Sequence, residues 1–335
     1  MQDGVAVNGV CSSESVNGSR DVFSCKDYDS LSAGHLVVMV HGILGCSSDW
    51  KFGAEQFVKR LPDKVFVHCS ERNMSKLTLD GVDIMGERLA KEVLEIIQEK
   101  PNLCKISFVA HSIGGLVVRY AIGRLYRPPK GEVKEDTSGD GCKEEVRGTI
   151  GGLEAINFIT VASPHLGSRG RHLFLTDVDE GKPPLLKRML DDSDELYFMS
   201  ALCIFKRRVL YSNVAYDHSI DIVGWRTSSI RRNGELPKWE ESLIETYPHI
   251  VYEEHCKACD IDQDETVSAE DYGSSDQLEE ELIRGLSRVS WEKVDVSFIK
   301  SKQRSAAHSV IQVKDQVLHI EGADVIQHMI DKFFT

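Results

Sequence analysis

The sequence predicts a mainly parallel α/β sheet with helices on both faces. Three observations carry this. Apolar, β-branched runs alternate with stretches of helical periodicity, as crossovers between parallel strands require. The strand-like runs are continuous rather than alternating, as in HLVVMV (35–40) and KISFVA (105–110), and so read as buried strands. Four turns rich in Gly, His, Ser or Asp follow strands directly: HGILG, AHSIG, SPHLG and the one at Asp217. In open sheets of this kind the chemistry collects at the carboxyl ends of the strands.

The elements follow in order. Residues 1–33 are polar and slightly acidic, and read as a disordered lead-in to one domain over 34–335. They lack the basic start and apolar stretch of a signal peptide and the Arg-rich character of a transit peptide, which suggests the cytoplasm. HLVVMVHG (35–42) is a strand and turn. Asp49 is placed to cap a helix through Leu61. Residues 64–69 form a second strand. Val82, Met85, Leu89, Val93, Ile96 and Ile97 recur at helical spacing within 80–100, and Pro101 ends that helix. Strand 105–110, the HSIGG turn and helix 113–126 come next. The charged, Gly- and Pro-rich stretch 127–152 reads as a mobile loop. Strand 155–162 leads into SPHLG. Segment 166–206 is irregular with apolar clusters, and reads either as a cap or lid over the site or as core packing. Strand 209–215 precedes Asp217, 227–288 is a polar insertion, and strand 294–299 and helix 323–334 close the chain.

Composition narrows the function. The 335 residues are 41% apolar and 28% charged, an ordinary balance for a globular domain. A net charge of −13 opposes binding to nucleic acid, which needs clustered Lys and Arg. It also opposes docking on anionic lipid by charge alone, leaving room for a transient contact with a membrane or lipid-droplet surface. No apolar run approaches the ~20 residues of a membrane span. Nine scattered cysteines suit a reducing compartment better than a disulfide framework.

The stretch VAHSIGG (109–115) is the most informative. A serine between a buried strand and a helix is forced into a tight turn that projects its hydroxyl from the sheet edge. Small residues two before and two after let strand and helix pass closely. Ala110 and Gly114 occupy those positions, Ala110 departing from the usual glycine. An N-cap serine would explain Ser112 alone, but the strand–turn–helix setting with Gly114–Gly115 points to a nucleophile.

Together HGILG, AHSIGG, SPHLG, an Asp after a strand and a late AHS resemble the α/β-hydrolase family of serine esterases and lipases found widely in plants and fungi. The resemblance covers about residues 34–335. It implies an α/β-hydrolase fold, a Ser-Asp-His triad, no cofactor and ester or lipid substrates. On that fold the order is Ser, acid, His. Asp217 follows strand 209–215 and is the first candidate acid, with Asp221 its rival. His308, in a loop of small residues and matching the family's AHS element, is the first candidate base. His319 is second, and His328, inside the closing helix, reads as structural. In the implied mechanism His308 takes the Ser112 proton and Asp217 orients the ring. The backbone N–H groups of Ile113 and of Ile43, or else Leu44, receive the oxyanion.

Two further motifs are discounted. HCKAC (255–259) has one C-x-x-C and no second pair at zinc spacing. DIDQDETVSAED (260–271) lacks the glycine and terminal glutamate of a calcium loop. No metal is therefore expected. The reaction is read as hydrolysis of carboxylic esters, with thioester hydrolysis, acyl transfer or a silent binding module as alternatives.

Overall fold

The computed structural model describes residues 33–129, 147–167, 183–193, 195–215, 245–258 and 275–335. In chain order the elements are β1 (His35–Val40), α1 (Lys51–Arg60), β2 (Val65–Cys69), α2 (Val82–Glu99), β3 (Lys105–His111), α3 (Gly114–Leu125), β4 (Tyr126–Arg127), β5 (Thr149–Ile150) and β6 (Glu154–Val161). They continue with α4 (Leu185–Arg188), α5 (Phe198–Cys203), β7 (Arg207–Asn213), β8 (Ile250–Cys256), α6 (Ser275–Leu286), β9 (Trp291–Val296), α7 (Ala307–Val310) and α8 (Ala323–Asp331).

Seven strands form one sheet in the order β2-β1-β3-β6-β7-β9-β8. All neighbours pair in parallel except β8, which runs antiparallel to β9 at the edge. Strand pleating sends successive side chains to opposite faces, so each inner strand feeds two cores. On β1, Leu36, Val38 and Val40 join one apolar cluster with α2, α3 and α5. Val37 and Met39 join another with Trp50, Phe57 of α1, and Val325, Ile326 and Met329 of α8. This is why HLVVMV is apolar at both parities. The mainly parallel sheet with helices on both faces is an α/β-hydrolase arrangement. It brings the ends of β1, β3, β6, β7 and β9 to one edge.

Several local readings change. Asp49 does not cap α1: it sits in a 3-10 turn (Ser47–Trp50), its carboxylate accepts from the Cys46 N–H, and α1 starts from Trp50 with no side-chain cap. The carboxylate closes a capping box on Cys46 at the start of the 3-10 turn, one element earlier than the sequence pattern placed it. The polar stretch 227–288 contains β8 and α6. β8 escapes detection because an edge strand keeps charged residues such as Glu253 and Glu254. α6 is amphipathic, with Leu282 and Leu286 fully buried. Within 166–206, Leu185, Leu186, Met189 and Leu190 lie in the buried cluster with residues of α3 and α6, and residues 168–182 lie outside the described residues. Residues 130–146 of the 127–152 loop lie outside the described residues, and β4 and β5 pair as a short ribbon on either side of them.

Candidate active site

The site grows from the junction of β3 and α3. Ser112 sits there with φ of 54°, the left-handed region that non-glycine residues avoid. Its N–H bonds Val161 O at 2.9 Å, and its carbonyl accepts from Gly115 N at 3.1 Å. The turn is thereby tied to β6 behind it and to α3 ahead. A Cβ at Gly114 would lie 2.6 Å from His41 O, and one at Gly115 would lie 2.3 Å from Ser163 Oγ. The two glycines therefore let α3 start directly against β1 and the SPHLG turn. Ala110 is fully buried, so its single methyl is accommodated in the strand. Ser112 Oγ is buried and makes no hydrogen bond among the described residues. The bond to His308 is thus not formed here; such contacts often tighten only with substrate.

The HGILG turn packs on this serine. A Cβ on Gly42 would stand 2.9 Å from Ser112 Cβ and 3.1 Å from His111 Nδ1. His41 Nδ1 donates to Gly42 O at 3.0 Å, and Gly45 N closes the turn on the same oxygen at 3.1 Å. Leu44 N–H is taken by Thr78 Oγ1 at 2.8 Å, which leaves Ile43 as the candidate donor of this turn.

His308 is carried by α7, which follows β9, and it is buried. Its main-chain carbonyl accepts the Nε2–H of His111 at 2.7 Å, and the two rings lie 4.4 Å apart. Burial pushes His111 well below the usual imidazole range, and the charges of His308, Lys314 and His41 reinforce this. His41 is also lowered by burial. Burial thus favours the neutral form of both His41 and His111.

The structure places the other candidates apart. His319 sits in a surface turn and accepts from Asp315 N–H at 3.1 Å. His328 is fully buried in α8, bonded to Tyr211 Oη at 2.9 Å and Glu253 Oε1 at 3.0 Å, a structural setting. His165 of SPHLG turns inward to Thr160 Oγ1 at 3.0 Å and lies beside Trp291. Asp217 and Asp221 lie outside the described residues, downstream of the end of β7 at Asn213. Sequence reasoning missed His111, whose partner is 197 residues away, and the pairing of Asp49 with Lys314 at 3.0 Å. The adjacency of His111 to Ser112 was its only signal.

Among the described residues, no group of three or more His, Cys, Asp or Glu could hold a metal ion, and no helix is long and apolar enough to cross a membrane. Cys256 ends β8 as a free thiol, whereas Cys259 and residues 260–271 lie outside the described residues.

Sheet, serine turn and glycine contacts define a hydrolase-fold protein built around a serine. The chain belongs to the family described as "Putative serine esterase (DUF676)", whose model matches residues 30–170 and 167–230. It is 30% identical over 213 residues to "Putative lipase ROG1" of Saccharomyces cerevisiae, which covers 55% of this chain and 27% of that protein. It is 28% identical over 237 residues to "Putative lipase C4A8.10" of Schizosaccharomyces pombe, covering 62% and 27%. The chain thus spans about a quarter of the length of these relatives. Among solved structures it is similar to the mature form of Bacillus licheniformis lipase BlEst2, with 18% identity, TM-score 0.33, and 54% and 66% of the two chains covered. Aspergillus fumigatus lipase B gives 14% identity and TM-score 0.32, over 54% and 37%.

Proposed function

We propose that the protein hydrolyses carboxylic esters, with lipid esters of acylglycerol or phospholipid type as substrates, through Ser112, Asp217 and His308. The observation that carries this is the left-handed Ser112 at the β3–α3 junction, packed against Gly42 and next to a histidine bonded to His308 O. The strand order supports the roles: β3 carries the serine, β7 precedes the acid and β9 precedes the histidine. These follow the triad order of hydrolase folds.

In this reading His308 accepts the Ser112 proton as Oγ attacks the ester carbonyl. Asp217 orients the ring and stabilises the imidazolium. The Ile43 and Ile113 N–H groups receive the oxyanion, each donor being worth about 2.7–4 kcal/mol in known cases. The alcohol leaves with the proton from His308, and Ser112 keeps the acyl group. Water then attacks, His308 takes its proton, and the carboxylic acid departs as Ser112 regains a proton. No cofactor enters. The scattered cysteines fit a cytoplasmic protein, and a net charge of −13 limits it to transient contact with lipid surfaces.

The test is labelling by a fluorophosphonate probe beside Ser112→Ala. Labelling and turnover in the wild type, both lost in the variant, are the expected result. Turnover within tenfold of wild type in Ser112→Ala would remove the serine from the mechanism. A panel of p-nitrophenyl esters, triacylglycerol, monoacylglycerol and acyl-CoA assigns the substrate, and exclusive turnover of acyl-CoA would overturn the carboxylic-ester reading.

A further inference from the structure

His111 is buried immediately before Ser112, where burial disfavours a charge on its ring. A carbonyl oxygen can only accept, so the 2.7 Å contact to His308 O requires the proton to sit on His111 Nε2. The ring is held neutral, which leaves Nδ1 as a lone pair. That nitrogen faces the HGILG turn, 3.1 Å from where a Gly42 Cβ would stand. One imidazole therefore lies against the turn that offers Ile43, belongs to the strand that carries Ser112, and grips the main chain that carries His308. The bonded atom is the backbone of His308, so the grip fixes the origin of that side chain without competing for its ring nitrogens.

We propose that His111 is a positioning residue that sets the candidate base His308 against Ser112 through its Nε2–H on the His308 carbonyl. This rests on the triad reading. The α7 segment is a four-residue helix with no side-chain cap bond; Ala307 and Val310 seat it in the core, and the His111 contact ties the His308 main chain itself to the strand that leads to Ser112. A displacement of about 1 Å in such a constellation costs on the order of a hundredfold in rate.

Three measurements test it. His111→Phe keeps a ring and loses the donor, whereas His111→Gln restores an N–H near the Nε2 position. The expected result on a soluble p-nitrophenyl ester is a fall in kcat of roughly ten- to hundredfold for His111→Phe. Its KM should stay within about twofold, and fluorophosphonate labelling should slow in parallel. His111→Gln should recover most of the loss. Equal damage by both variants, or a loss explained wholly by the unfolded fraction at the assay temperature, would overturn the proposal. If neither variant folds, nitrogen-labelled histidine spectra of the wild type decide. His111 should remain a neutral Nε2–H tautomer through the range in which an ordinary imidazole titrates. Protonation near the ordinary imidazole range, or an Nδ1–H tautomer, would overturn it. Failure of the triad reading is recognised separately, because Ser112→Ala would then retain labelling and turnover.

Discussion

Lys314 Nζ lies 3.0 Å from Asp49 Oδ2, joining the turn after β1 to the turn after α7. The carboxylate is nearly buried, at 8% side-chain exposure, whereas the lysine keeps 39%. Solvent reaches the cation and weakens the attraction, so the pair is worth less than a buried one. The carboxylate depends on it all the same, because its backbone donor, Cys46 N, is long at 3.4 Å.

Lys314→Met should therefore destabilise by about 1 kcal/mol or somewhat more, as it strands a desolvated carboxylate. In a denaturation cycle with Asp49→Asn, the two changes together should cost less than their sum. Strict additivity would show that the pair contributes nothing.

Exchanging the acid and base candidates tests the assignments directly. Asp217→Asn and His308→Ala should each reduce turnover by roughly 10⁴-fold, and adding Ser112→Ala to either should change little. His319→Ala should stay within a few-fold of wild type by the same reasoning, since His319 sits in a surface turn. If Asp221→Asn were the damaging change instead, the acid would move while the reaction class stood.

Gly42→Ala places a methyl 2.9 Å from Ser112 Cβ and 3.1 Å from His111 Nδ1. Both neighbours are core backbone-anchored groups with little freedom to move. Turnover should fall by about a hundredfold, with a stability loss of about 1–3 kcal/mol. Wild-type kinetics in this variant would mean that the HGILG turn does not pack on the serine.

His35 is drawn down to about 4 by burial, with the Lys105 charge adding to the effect and Glu154 opposing it. Ser107 Oγ already accepts two hydrogen bonds from Asn157, so its own proton goes to His35 Nε2 at 2.8 Å. Protonating the ring breaks this. The unfolded chain takes up the proton near pH 6.5 and the native state only near 4, so stability is complete above 6.5 and drains away as pH falls between those values. The full shift corresponds to roughly 3 kcal/mol. Denaturation midpoints measured across that window should fall less steeply in His35→Phe than in wild type. Parallel slopes would exclude His35 as a contributor.

Leu186 and Met189 are each about 1% exposed, in the core beside α3. Leu186→Asp with Met189→Asp should thus lower the melting temperature and reduce turnover equally on acetate, butyrate and long-chain esters. A selective loss on long chains would make this stripe part of an acyl pocket.

The parts legible in the sequence were those fixed by short-range chemistry. The Ser112 turn announces itself because strand, serine and paired glycines are contiguous, and the two-faced burial of β1 shows in the apolar run LVVMV. Contacts across long separations left no such trace. The approach of Gly42 to Ser112, the grip of His111 on His308 and the pairing of Asp49 with Lys314 arise from sheet order. β8 stayed hidden because an edge strand does not need an apolar outer row. Asp49 looked like a helix cap because its neighbours allow one. Asp217 and Asp221 lie outside the described residues, so the choice between them rests on motif position.

The left-handed backbone of Ser112 and its unbonded, buried hydroxyl are both unfavourable to the folded state. The first costs about 1–2 kcal/mol and the second about 1–3 kcal/mol. Ser112→Gly relieves both, so on the proposed mechanism a more stable form of this protein is an inert one. Selection for heat resistance alone would drift towards discarding the proposed nucleophile. Any attempt to toughen the chain must therefore be screened for turnover at each round and directed to exposed positions far from the β3–α3 junction.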